Sequence, residues 1–80
     1  MKIAFTPGAW RDWKKLSKNT QVRLKEKLIL YSLSPFKYAT KLTDEIGQYR
    51  FRIGDYRIIF DIINGKIIII AVGNRKDIYK

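Results

Sequence analysis

Eighty residues with seventeen Lys and Arg against seven Asp and Glu, a net charge of +10, point to one small, strongly basic domain with a thin core. Hydrophobic residues make up 46% and aromatics 14%, too apolar a balance for disorder. Cysteine and histidine are both absent, which excludes disulfides, thiol nucleophiles, thiolate metal sites and the usual neutral-pH acid–base residue; any catalysis falls to Lys, Arg, Tyr, Asp or Glu.

The charge favours nucleic acid or an acidic protein as partner over a membrane. No apolar run approaches the roughly 20 residues of a spanning helix, and MKIAFTPGAW does not read as a signal peptide. A cysteine-free chain suits a reducing cytosol, and a cytoplasmic location is expected.

In chain order, KIAF (Lys2 to Phe5) is a short edge or outer strand. Thr6 and Pro7 then open a helix, as N-cap and first helical residue, with Trp10, Trp13 and Leu16 on one stripe facing the core. Asn19 or Thr20 is expected to cap a second helix. Its broad apolar face holds Val22, Leu24, Leu28, Ile29 and Leu33, and Pro35 ends it. The two helices form a hairpin with a very short turn. Ser34 to Gln48 is a connecting loop.

Three strands follow. Tyr49 to Ile53 and Tyr56 to Ile63 are joined by Gly54-Asp55, which suits a type II′ turn; Asn64-Gly65, a strong type I′ signal, leads into Lys66 to Val72. The expected fold is α+β, in the order β-α-α-β-β-β: an N-terminal strand, a helical hairpin and a three-stranded antiparallel meander, helices on one face of the sheet, within a single domain spanning residues 1–80.

Two-residue turns fix the register: Arg52 opposite Arg57, Phe51 opposite Ile58, Phe60 opposite Ile69. Alternation then puts Tyr49, Phe51, Ile53, Ile58, Phe60, Ile62, Ile67, Ile69 and Ala71 on the helix side. The other face carries Arg50, Arg52 and Arg57, and beyond them Ile59, Ile63, Ile68, Ile70 and Val72. A like-charge cross-strand pair costs stability, and two helices cannot cover both faces. The residues leave two readings open. Either an anion and a protein partner occupy this face, or it is solvated, with Asp55, Asp61 and Asp77 pairing with the arginines and the loop from Ser34 to Gln48 folded over the aliphatic part.

Tyr49-Arg50-x-Arg52-Ile53-Gly54-Asp55-Tyr56-Arg57, the aliphatic last strand and Gly73-Asn74-Arg75 ending in Asp77-Ile78-Tyr79 together resemble the sheet and C-terminus of RelE/ParE-superfamily toxins of type II toxin–antitoxin systems. SPFKYATKL is similar to that family's loop between hairpin and sheet, so the resemblance spans nearly the whole chain. It implies a RelE-like branch: ribosome-dependent cleavage of messenger RNA in the A site, by 2′-hydroxyl attack on the adjacent phosphorus, with no metal and no cofactor. It also implies a cognate antitoxin protein, the ribosome and mRNA as partners, operator DNA only through the antitoxin complex, and no membrane.

Residue by residue, the resemblance gives Arg50 and Arg52 the basic positions of the first meander strand, Arg57 the transition-state phosphate, Arg75 the leaving group and Tyr79 base stacking or proton transfer. The antitoxin would face Ile59, Ile63, Ile68, Ile70 and Val72. Members of this branch often carry lysine where Arg50 and Arg52 stand. A guanidinium does not give up its proton, so the base falls to Lys41 or Tyr79, whose pKa neighbouring positive charge would lower. The alternatives are a ParE-like, non-enzymatic toxin that inhibits DNA gyrase, and an inactive nucleic-acid-binding relative.

Overall fold

The computed structural model describes residues 1–41 and 48–74. Its elements run β1 (Lys2–Phe5), α1 (Pro7–Lys14), α2 (Lys18–Ser32), α3 (Pro35–Tyr38), β2 (Thr40–Lys41), β3 (Tyr49–Ile53), β4 (Tyr56–Ile63) and β5 (Lys66–Asn74). They make an α+β fold in which one sheet has the order β1-β5-β4-β3-β2. The expected meander forms its centre. The short β1 pairs parallel with β5, Ile3 beside Ile67 and Phe5 beside Ile69, and is an edge as expected. The other edge, β2, lies within the segment expected to be loop and pairs Thr40 with Arg50 and Lys41 with Tyr49.

Local chemistry sets the helix starts. Thr6 is extended, its hydroxyl accepts from the Ala9 amide at 3.1 Å, and Pro7 occupies the first helical turn without leaving a donor unused. The α2 cap is Ser17, whose Oγ accepts from the Thr20 amide at 3.2 Å and donates to Thr20 Oγ1 at 2.8 Å. Asn19 and Thr20, expected as caps, lie inside the first turn. Ser17 wins because it is the residue with extended backbone, and an N-cap must be non-helical.

The two turns carry the φ signatures that their sequences demand. Gly54 alone is positive at 59° in the first, whereas Asn64 at 52° and Gly65 at 73° are both positive in the second. The register therefore holds near each turn: Arg52 opposite Arg57, Phe51 opposite Ile58, Phe60 opposite Ile69, Ile62 opposite Ile67.

Further along β5 the pairing slips. Phe60 still faces Ile69, but Ile59 faces Ala71, so Ile70 is an extra residue and β5 is bulged. One extra residue inverts the alternation beyond it. Val72, expected on the arginine side, instead sits opposite Ile58 on the helix side, 5% exposed and part of the core; Ala71, expected in the core, moves to the arginine side. Thr6 ties β1 to the bulge: its amide donates to the Ile69 carbonyl at 2.9 Å, and its hydroxyl makes a long 3.5 Å contact with the Ile70 carbonyl.

The core lies between the helices and one face of the sheet. Ala9, Trp13, Leu24 and Leu28 pack from the helices onto Phe51, Ile53, Ile58, Phe60, Ile67, Ile69 and Val72. Phe51 and Phe60 stack at 4.3 Å between ring centroids at its centre. Two expectations about the helices fail. Trp10 is 47% exposed and meets Phe5 edge-on at 5.5 Å. Of the expected α2 face only Leu24 and Leu28 are buried; Val22 and Ile29 are exposed and Leu33 is 75% exposed. Apolar residues surround much of this helix, and the chain has one sheet face to pack it on, so only one stripe is covered.

Candidate functional site

The candidate site is the sheet face turned away from the helices. The Gly54-Asp55 turn brings Arg52 and Arg57 side by side, and Arg50 lies two residues before Arg52 on the same face. Their environments differ. Arg52 is exposed and Arg50 half-buried, whereas Arg57 is only 3% exposed. Arg57 Nη1 donates to the Gly54 carbonyl at 3.3 Å and to the Tyr56 carbonyl at 3.1 Å, drawing its guanidinium back along the turn. The two carbonyls offset part of the cost of the like-charge cross-strand pair. Phosphate binding at Arg57 therefore competes with two carbonyl contacts.

Lys41, a candidate proton acceptor, pairs with Tyr49 rather than Arg50. Strand alternation puts its Cβ on the helix-side face at the sheet edge, and Thr40 takes the place beside Arg50. The structure thus gathers Arg50, Arg52 and Arg57 and leaves Lys41 across the sheet from them. Arg75 and Tyr79 lie outside the described residues.

Beyond the arginines the same face carries Ile59, half-buried, and Ile63, 50% exposed, on β4, with Ile68 and Ile70 half-buried on β5. Val72 is not among them, as described above. Of the Ser34–Gln48 segment expected to fold over this strip, residues 42–47 lie outside the described residues. Phe36 packs edge-on against Tyr49 at 5.6 Å and Tyr38 stacks on Tyr31 at 4.3 Å, both on the helix side.

One residue of this face carries more than alternation suggested. Asp61 sits on β4 between Ile59 and Ile63, opposite Ile68, and its Oδ1 is buried with no hydrogen-bond partner. A buried acceptor left unmatched costs about 1–3 kcal/mol. The sequence signal was visible: a lone carboxyl inside the aliphatic run of the second meander strand.

A basic cluster lies beside an aliphatic strip on the sheet face turned away from the helices. The comparisons name the family of this fold. The family model for the ParE toxin of type II toxin-antitoxin system, parDE, matches residues 3–79, and the chain belongs to this family, within the RelE/ParE superfamily. It is 30% identical over 78 residues to the mRNA interferase toxin RelE of Escherichia coli K12, covering 92% of this chain and 82% of that one. Among solved structures it resembles the toxin–antitoxin complex RelBE2 of Mycobacterium tuberculosis (TM-score 0.82, 27% identity, 92% of this chain and 96% of that one). It also resembles the isolated E. coli RelE toxin (TM-score 0.80, 27% identity, 98% and 89%).

Proposed function

We propose that this chain is a ribosome-dependent endoribonuclease toxin that cuts messenger RNA in the A site and is neutralised by a cognate antitoxin. The observation that carries the reading is the gathering of Arg50, Arg52 and Arg57 on one open face by the Gly54-Asp55 turn, in a chain 30% identical to a protein named an mRNA interferase toxin.

In this reading the 2′-oxygen attacks the adjacent phosphorus and the P–O5′ bond breaks; water protonates the departing oxygen, so the products are a 2′,3′-cyclic phosphate and a free 5′-hydroxyl. The pentacoordinate phosphate gathers negative charge, which preorganised guanidiniums stabilise. Arg50 and Arg52 hold the backbone, Arg57 turns from its two carbonyls to the phosphate, and the resemblance assigns Arg75 to the departing 5′-oxygen. The 2′-hydroxyl proton needs an acceptor, which no guanidinium supplies. With Lys41 paired on the opposite face, the role of acceptor falls to Tyr79, as the resemblance implies.

An antitoxin segment lying over the same face would bring acidic residues to the arginines and apolar ones to Ile59, Ile63, Ile68 and Ile70, occluding the site. RelE has been solved in complex with RelB, which supports this partner class. The test is cleavage of mRNA on translating ribosomes, mapped at nucleotide resolution. Wild type is expected to cut in the A-site codon, with Arg57→Ala and Arg75→Ala each slower by about 10²–10³-fold.

A second reading, a non-enzymatic gyrase inhibitor, draws on the ParE family model and on the burial of Arg57 against the Gly54 and Tyr56 carbonyls. Gyrase-dependent DNA breakage without mRNA cleavage selects it.

A further inference from the structure

On the helix side, across the sheet from the arginines, β1, α1 and α2 wall a cavity of about 280 Å³. Ile3 and Phe5 come from β1, Trp10 and Trp13 from α1, and Leu28 and Ile29 from α2. Phe5 meets Trp10 edge-on at 5.5 Å and Trp13 at 5.4 Å, so three rings stand together in its wall. Trp13 and Leu28 are buried, whereas Trp10 is 47% and Ile29 54% exposed, so the recess has a core-packed side and an open one.

The seventh lining residue is Lys25 of α2, the one charged group in the wall. Among the described residues it forms no ion pair and no hydrogen bond through its side chain. An apolar, aromatic recess with a single placed charge has the composition of a small-ligand site, and its volume lies near the lower end for such sites.

We propose that this recess binds a small aromatic monocarboxylate, its ring against Phe5, Trp10 and Trp13 and its carboxylate on Lys25 Nζ. About ten to fifteen non-hydrogen atoms fill the volume. An aromatic guest extends the edge-to-face packing that the three rings already show, which is worth more than burial alone. The lone ammonium asks for one anionic group, and low-dielectric walls strengthen that contact. A phosphodiester suits the wall less well, because its charge would lose hydration against six apolar side chains. A second copy of the chain is disfavoured by the net charge of +10 on each. The guest lies on the helix side, so it leaves Arg50, Arg52 and Arg57 uncovered. By binding only the folded chain it also stabilises a domain whose core is thin.

Both tryptophans of the chain line the recess, so their two indole N–H resonances report on it. The experiment titrates naphthalene-2-carboxylate into the full chain and follows those resonances by proton–nitrogen NMR. Naphthalene-2-carboxamide is the neutral control, and circular dichroism checks the fold of each variant. Wild type is expected to show saturable shifts at both indoles, with a Kd of about 0.01–1 mM for the carboxylate and about tenfold weaker binding of the carboxamide. Lys25→Met keeps the apolar stem and should bind the two compounds equally, at the carboxamide's affinity on wild type. Ile29→Phe, at a half-exposed position, should fill the recess and abolish the shifts. Indoles that do not move at about 5 mM carboxylate overturn the site. A folded Ile29→Phe that binds as wild type does overturns it as well. Carboxylate and carboxamide bound equally by wild type overturn the role of Lys25 and the carboxylate class with it.

Discussion

On the helix side of the sheet Phe51, Ile58, Phe60, Ile67 and Ile69 are all fully buried, and every one is apolar. On the other side of the same strands Arg57 is buried, Arg52 and Ile63 are exposed, Arg50, Ile59, Asp61 and Ile68 are half-buried, and like charges stand opposite one another. Strand geometry makes the two faces equal in area, so the difference is chemical. The first face is chosen for burial within the chain. The second keeps a repulsive arginine pair and an unmatched carboxyl oxygen, both of which cost stability. A surface that retains such costs is better explained by binding than by folding.

That contrast can be broken by mutation. The largest effect is expected at the centre of the buried face: Phe60→Ala removes a ring stacked on Phe51 and should cost about 3–5 kcal/mol, enough to unfold much of the population of so small a domain. Urea titration followed by circular dichroism measures it.

Next comes the bulge. Val72→Ala is expected to cost about 2 kcal/mol because Val72 is in the core, whereas Ile63→Ala, on the open face, should stay within about 0.5 kcal/mol. Equal losses at the two positions would mean that Ile70 is not an extra residue and that Val72 faces outward.

A smaller effect separates the caps. Ser17→Ala should cost about 1 kcal/mol and Asn19→Ala very little, by the same titration. The reverse order would move the start of α2.

Much of this was legible in the chain. Gly54-Asp55 and Asn64-Gly65 fixed two hairpins, their φ signs and the Arg52–Arg57 pairing, because each turn type demands particular residues. The bulge was not legible: Ile67 to Val72 is apolar at both parities, so no pattern marks where alternation inverts. The parallel pairing of β1 with β5 joins the two ends of the fold, beyond the reach of any local signal. The exposed side of α2 was hidden for a related reason, since an apolar residue in a helix does not say which of two apolar stripes will find a partner. In the site, alternation found the arginine cluster and the aliphatic strip but not the burial of Arg57 or its bonds to the Gly54 and Tyr56 carbonyls, nor the turning of Lys41 to the Tyr49 side.

The most direct test of the central claim is mRNA cleavage on translating ribosomes by wild type, Arg57→Ala and Ile63→Ala side by side. The account predicts A-site cuts by wild type and by Ile63→Ala at similar rates, with Arg57→Ala slower by about 10²–10³-fold. Wild type that cuts nothing, or Arg57→Ala that cuts as fast as wild type, contradicts it.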